Sequence, residues 1–355
     1  MRSARLLTLL ALFGCSKPDT KGEPKGLPPS AMSAATPLPV EARPFAEKLA
    51  SCKFDPMQGL DGNCRTFASW MDATDGFEDG RADTWLVLLL SSSDPKWRYL
   101  ATRKLEATGQ RYREEEGLVV RVIEAAERER LAPVGSSLGR LLARVRIDRV
   151  SVLDRIRMLA LRHELLPLRV SLLQEIAFYN QGSRAVFELV RDCAELSVPE
   201  IRIASMDGLW TGGVRRPVET CAVWRKHVDD ASSDEVAARA GLHLTGWGHC
   251  HSDLGEWMRL LEARVHADRL PLAAFMESCT NICKDNGADS LLKRRALRLA
   301  VDVATRVTAF AEVRSSALQA AVVCDKTEGV LLAQRLARDS NSHVAEVART
   351  IVVGK

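Results

Sequence analysis

The residues best suited to chemistry lie in two short stretches. One reads Trp247-Gly248-His249-Cys250-His251; the other places Cys279 and Cys283 four positions apart. On a helix that spacing puts both thiols on one face. Two imidazoles and three thiols form a donor set that Zn²⁺ accepts, and a cysteine between histidines has the make-up of an activated nucleophile. The spacing fits no established zinc signature, however, and one local cluster does not make a nucleophile. No H-E-x-x-H and no G-x-x-x-x-G-K-[ST] occurs. No catalytic residue, metal or cofactor is therefore assigned, and the His249–Cys283 region stays as an alternative metal-binding or enzymatic module.

The same thiols suit disulfides. Besides Cys15 the chain carries Cys52, Cys64, Cys193, Cys221, Cys250, Cys279, Cys283 and Cys324, an even set. Cys52 and Cys64 bracket a turn-rich segment and are expected to close it. Cys283 and Cys324 fall at equal heights in the register developed below. Cys250 is expected to reach Cys279 or Cys283, and Cys193 with Cys221 is a weaker pair because their heights differ. Asp72, Asp75, Glu78 and Asp79 do not match a calcium loop and read as a solvated turn. Arg215-Arg216 and Lys293-Arg294-Arg295 read as exposed helix ends rather than a basic groove.

These residues are positioned by a repeating element. Val198–Leu209, VPEIRIASMDGL, places Ile201, Ser205 and Leu209 on one helical face behind Pro199. Equivalent helix starts recur at Trp97, Val134, Leu168, Val236, Leu272, Val313 and Val344, spaced by roughly 35 residues. Each interval holds a second amphipathic stretch: 117–127, 152–162, 184–194, 218–228, 254–265, 291–305 and 329–337. One helix pair cannot bury its apolar face alone, but stacked pairs share a core. The pattern predicts an all-α chain, an α-solenoid of stacked antiparallel helix pairs over 94–355. Trp97, Trp210, Trp224, Trp247 and Trp257 read as packing residues within it.

The helix starts resemble HEAT repeats. Asp94-Pro95-Lys96-Trp97-Arg98 carries the pattern, which returns at Pro199-Glu200-Ile201-Arg202, Ala311-Glu312-Val313-Arg314 and Pro167-Leu168-Arg169. The resemblance implies that Arg98, Arg169, Arg202 and Arg314 tie neighbouring repeats together; Gly135, Ala237, Ala273 and Ala345 lack that arginine. Armadillo-like pairing fits the same pattern. Such arrays imply a binding surface rather than chemistry.

The N-terminus sets the expected location. Arg2 and Arg5 precede a short apolar run, Leu6–Phe13, which ends at Leu12-Phe13-Gly14-Cys15. This resembles the bacterial lipoprotein signal and implies cleavage after Gly14 and acylation of Cys15; Ser16 then points to the outer membrane. Residues 15–44 carry seven prolines and no apolar period and read as an extended tether. Residues 45–93 read as a helical cap holding the Cys52–Cys64 loop.

Composition agrees with a binding protein. Of 355 residues, 46% are hydrophobic, enough for a core, and the formal charge is only +4, two charges of which lie in the leader. A near-neutral mature chain argues against nucleic acid as a partner. The expected partners are a membrane, through the lipid anchor, and an unknown protein of the cell envelope. A purely structural envelope component is the other alternative.

Overall fold

A computed structural model describes residues 38–61, 64–73, 82–148, 151–267 and 272–354, without the side chains of Glu41 and His251. All of them belong to the unit Pro37–Lys355. The expected lipidation residue Cys15, the leader, most of the tether, and Asp75, Glu78 and Asp79 lie outside the described residues.

The cap contains α1 (Arg43–Ala50), α2 (Arg65–Asp72) and α3 (Ala82–Leu89). The only described strands, β1 (Phe54–Asp55) and β2 (Gly59–Leu60), form a small antiparallel hairpin inside the Cys52–Cys64 loop. The pairs follow: α4 (Pro95–Thr108) with α5 (Glu116–Arg128), α6 (Ala132–Ala143) with α7 (Leu153–Arg162), and α8 (Leu166–Tyr179) with α9 (Arg184–Ala194). Next come α10 (Pro199–Gly212) with α11 (Pro217–His227), α12 (Asp234–Gly246) with α13 (Leu254–His266), and α14 (Ala273–Lys284) with α15 (Ser290–Thr305). The chain closes with α16 (Ala311–Cys324), α17 (Lys326–Leu336) and α18 (Ser342–Val353).

Start signals in the sequence explain these helices. Asp94, Ser183, Ser233, Asp289, Asp325 and Asn341 each accept a backbone N–H from the first turn of the helix that follows. Proline opens α4, α6, α8, α10 and α11, where its missing N–H costs nothing.

First helices pack on first helices, from α2 through α18, and second helices pack on one another from α3 to α9 and again from α13 to α17. The chain is an α-solenoid of stacked helix pairs. The cap joins the same layers, because α2 packs on α4 and α3 on α5. Lys104 fastens it: its buried ammonium donates to the carbonyls of Trp70, Met71 and Ala73 at the end of α2.

The first-helix layer is close-packed. A Cβ on Gly208 of α10 would lie 2.1 Å from the Leu173 carbonyl oxygen of α8, and one on Gly139 of α6 2.3 Å from that of Leu168. Backbone meets backbone there, which only glycine permits. The buried stripe follows the expected starts with one exception. In α14, Phe275, Cys279 and Ile282 are buried while Leu272 is the N-cap, because the helix begins at Ala273 and its stripe sits three residues later.

The arginine ties are more varied than the repeat pattern implies. Arg98 donates to Glu129, and Arg202 pairs with Asp230, both just beyond the second helix of their own pair. Arg169 donates instead to the carbonyls of Ala160 and Leu161, capping α7 of the preceding pair. Arg314 does both, donating to Asp339 and to the Ala304 carbonyl. Where Ala237 and Ala273 replace the arginine, the cation comes from the other helix or its end. Arg264 of α13 donates to Asp234 and to the Val228 and Asp230 carbonyls, and Arg306 after α15 donates to the Val265 carbonyl.

Candidate functional site

The His–Cys region is held by disulfides. Cys52 bonds Cys64, Cys221 bonds Cys250 and Cys283 bonds Cys324, with Cα separations of 5.4, 5.8 and 4.9 Å. Cys283 and Cys324 sit at the last turns of α14 and α16, and they pair as expected. Two expectations need correction. Cys250 does not reach Cys279 or Cys283, because the chain leaves α12 at Trp247 and a turn closed by Cys250 N–H to the Trp247 carbonyl carries it to α11. Cys193 does not pair with Cys221, because it lies at the end of α9 while Cys221 lies in the first half of α11.

Cys193 and Cys279 remain buried thiols, and burial pushes both up to about 12. As thiols with almost no thiolate, they are inert at neutral pH. Folded protein is therefore expected to react with no thiol reagent at these positions, and denatured, unreduced protein to titrate both. A disulfide reagent assay with and without urea measures this.

The rest of the expected ligand set is dispersed. His249 packs edge-on against Trp247, ring centroids 4.7 Å apart, and the side chain of His251 is outside the described residues. Among the described residues no three His, Cys, Asp or Glu side chains converge as a metal needs. One motif carries no weight in the sequence pattern yet fits a nucleophile template: Gly135-Ser136-Ser137-Leu138-Gly139 reads G-x-S-x-G. It lies inside α6, not on a strand-to-helix turn. Ser137 is buried and accepts from Arg140, and Gly139 serves the contact with α8. It is a packing motif. Of the two basic runs, Arg216 lies over the Phe187 ring and Arg295 pairs with Glu262.

A different set of side chains is brought together. Six or seven residues after the buried starts of α4, α6, α8, α10 and α12 stand Arg103, Arg140, Glu175, Asp207 and His243. The shared register places them on one face of the first-helix layer. On α10 and α12, His243 Nε2 lies 2.7 Å from Asp207 Oδ1, and Arg239 pairs with the same carboxylate at 3.4 Å. The His243 ring packs against both Trp210 and Trp224, at 4.9 and 5.3 Å, in a cluster where the two indoles also meet, and Trp224 continues to Trp247.

At the other end, Glu106 of α4 accepts from Arg103 at 3.1 Å and from Arg140 at 2.8 Å. Arg144, after α6, donates to the Glu106 carbonyl, lies over the Tyr179 ring at 5.4 Å, and stands 3.9 Å from Glu175. Burial pushes the Glu175 carboxyl up, against the pull of Arg144 and Arg140. Phe178 is 49% exposed beside Tyr179, ring centroids 5.1 Å apart. Tyr112, in the turn between α4 and α5, is fully buried next to Arg113, and burial pushes its hydroxyl up to about 12.

Below this face, His227 of α11 contacts Arg202 at 2.9 Å. Burial and then the Arg202 charge hold the imidazole below its ordinary value of 6.5. A folded value below the unfolded one means the unfolded chain takes the proton first. His227 thus contributes stability that is present above pH 6.5 and lost as pH falls toward the folded value. Urea midpoints are expected to decline between about pH 7 and 5, and less steeply in His227→Gln.

No family model matches this chain, and no curated protein matches it. Among solved structures, human deoxyhypusine hydroxylase in complex with glycerol is similar at 15% identity and a TM-score of 0.31, over 78% of this chain and 97% of that chain. No described helix is long and apolar enough to cross a membrane.

Proposed function

We propose that this chain is a lipid-anchored HEAT-like repeat protein that holds a protein partner at the bacterial cell envelope, with the first-helix layer as its docking face. One observation supports this most. Five stacked first helices line up charged and aromatic side chains on a single face, with exposed Phe178 and Tyr179 near its centre. Arginine and large aromatics set among polar neighbours are the composition of interface anchors. The role is one of binding rather than catalysis. The leader ending in Cys15 and the proline-rich tether supply the location.

Crosslinking in cells followed by affinity recovery tests the reading, with the full chain and a fragment of residues 1–90 side by side. A partner recovered only with the repeats, and lost in Phe178→Ala/Tyr179→Ala, is expected. Equal recovery with the fragment would reduce the chain to a spacer. For the anchor, fatty-acid labelling of wild type and Cys15→Ser is expected to differ completely. Unlabelled, soluble wild type would overturn it.

A further inference from the structure

We propose that the cleft between α1 and α2 of the cap binds the phosphate group of a phosphomonoester, carried on a soluble molecule or on a lipid headgroup. The cleft has a volume of about 630 Å³, the size of a small-molecule site. Its back wall is the Cys52–Cys64 disulfide. Cys52 follows the end of α1 and Cys64 is the N-cap of α2, so the bond holds the two helix ends together, 5.4 Å apart at Cα. Lys53 and Arg65 stand next to the two half-cystines, and Lys48 comes from the last turn of α1. These three cations line the cleft with one carboxylate, Asp61. None of the three makes an ion pair among the described residues. In the repeats, by contrast, Arg98, Arg140, Arg264 and Arg314 each have a carboxylate.

The start of α2 adds donors to this charge. Cys64 provides no side-chain cap, and the N–H groups of Arg65 and Thr66 have no acceptor among the described residues. The positive end of the helix is therefore open to an anion. Thr66 is only 5% exposed, yet its hydroxyl has no hydrogen-bond partner. It lines the cleft and its oxygen is not sealed off, so a ligand atom there can complete it. Point-like ammonium groups, a guanidinium, a hydroxyl and helix N–H groups are the usual partners of phosphate oxygens. A phosphomonoester carries close to two negative charges at neutral pH, against the cleft's three cations and one carboxylate. The cleft leaves room for the group that bears the phosphate.

The test titrates the full chain calorimetrically with glucose 6-phosphate, with inorganic phosphate, and with a short-chain phosphatidic acid kept below its micelle concentration. Glucose is the uncharged control. Saturable binding of at least one phosphate compound is expected, weakened by salt and weaker at about pH 5 than at about pH 7.5, since the second phosphate proton titrates near 6. The arm that binds most tightly assigns the source, and each such result supports the site. Lys53→Gln/Arg65→Gln and Thr66→Val are each expected to weaken binding by about tenfold or more without lowering the melting temperature. Unchanged affinity in either folded variant would overturn the site. Should Thr66→Val lose the fold, the Lys53→Gln/Arg65→Gln chain, altered only at exposed residues, decides alone. Absence of binding in all three arms, or glucose binding as tightly as its phosphate, would also overturn it.

Discussion

Gly208→Ala is expected to lower the melting temperature by about 4–5 °C, an effect of roughly 3 kcal/mol on a chain of this size. The new Cβ would lie 2.1 Å from the Leu173 carbonyl oxygen and 3.2 Å from its carbon. Those are backbone atoms of α8, so no side chain can rotate away, and α8 and α10 must separate. Separation would open the contacts of Met206 and Leu209, both fully buried. In a solenoid each pair is stabilised mainly by its neighbours, so the loss at one interface divides the array into two weaker blocks. Broadening or splitting of the thermal transition is part of the expectation. Gly255 and Gly117 are built-in controls. They sit in α13 and α5, where an added methyl group would meet nothing within 4 Å, and alanine there is expected to be neutral or to raise stability by up to about 1 kcal/mol. A similar loss at all three positions would show that the close approach of α8 and α10 does not govern the effect at Gly208.

Arg314→Ala is expected to cost about 3–5 kcal/mol at neutral pH. The guanidinium is almost wholly buried, bonds Asp339 through both terminal nitrogens, and donates through Nε to the Ala304 carbonyl at 3.0 Å. Truncation leaves a shielded carboxylate without its counter-charge and a helix end without its cap. The hydrogen bond from Arg314 holds the Asp339 carboxyl below its ordinary value of 3.8. Its contribution is therefore full above that value and is lost as pH falls through the folded one. Urea denaturation at pH 7 and at about pH 3 is expected to show a smaller difference between wild type and variant in acid. A constant difference across that range would mean that packing of the arginine stem, not the ion pair, carries the effect.

Much of the layering was legible in the residues. Trp97, Val134 and Ile201 stand at buried helix starts because an apolar residue just behind a proline admits few other readings. The register of α14 was less legible. Leu272-Met276-Thr280 and Phe275-Cys279-Ile282 are both credible stripes, and the choice depends on where the preceding turn ends. Arg264 and Arg306 escaped notice because the repeat pattern looks for an arginine near the start of the first helix. Burial of helix-terminal carbonyls requires a donor there but does not specify which helix sends it. The face containing Arg103, Arg140 and Asp207 lies at positions that look merely solvated in sequence. What distinguishes it is contact between helices more than 30 residues apart, such as Arg140 with Glu106. The G-x-S-x-G of α6 is the converse case, a string with the letters of a nucleophile turn whose glycines answer a packing demand.

The two disulfides in the array have a consequence for damage. Cys221–Cys250 spans the turn between α11 and α12, and Cys283–Cys324 spans the turn between α14 and α15, where Asn286 and Gly287 are exposed. A protease that nicks either turn cuts the polypeptide but not the molecule. The fragments stay joined through sulfur, and the helices on either side keep their stacking partners. A nicked chain would therefore migrate as one species until reduced, and the part carrying the tether would still retain the rest.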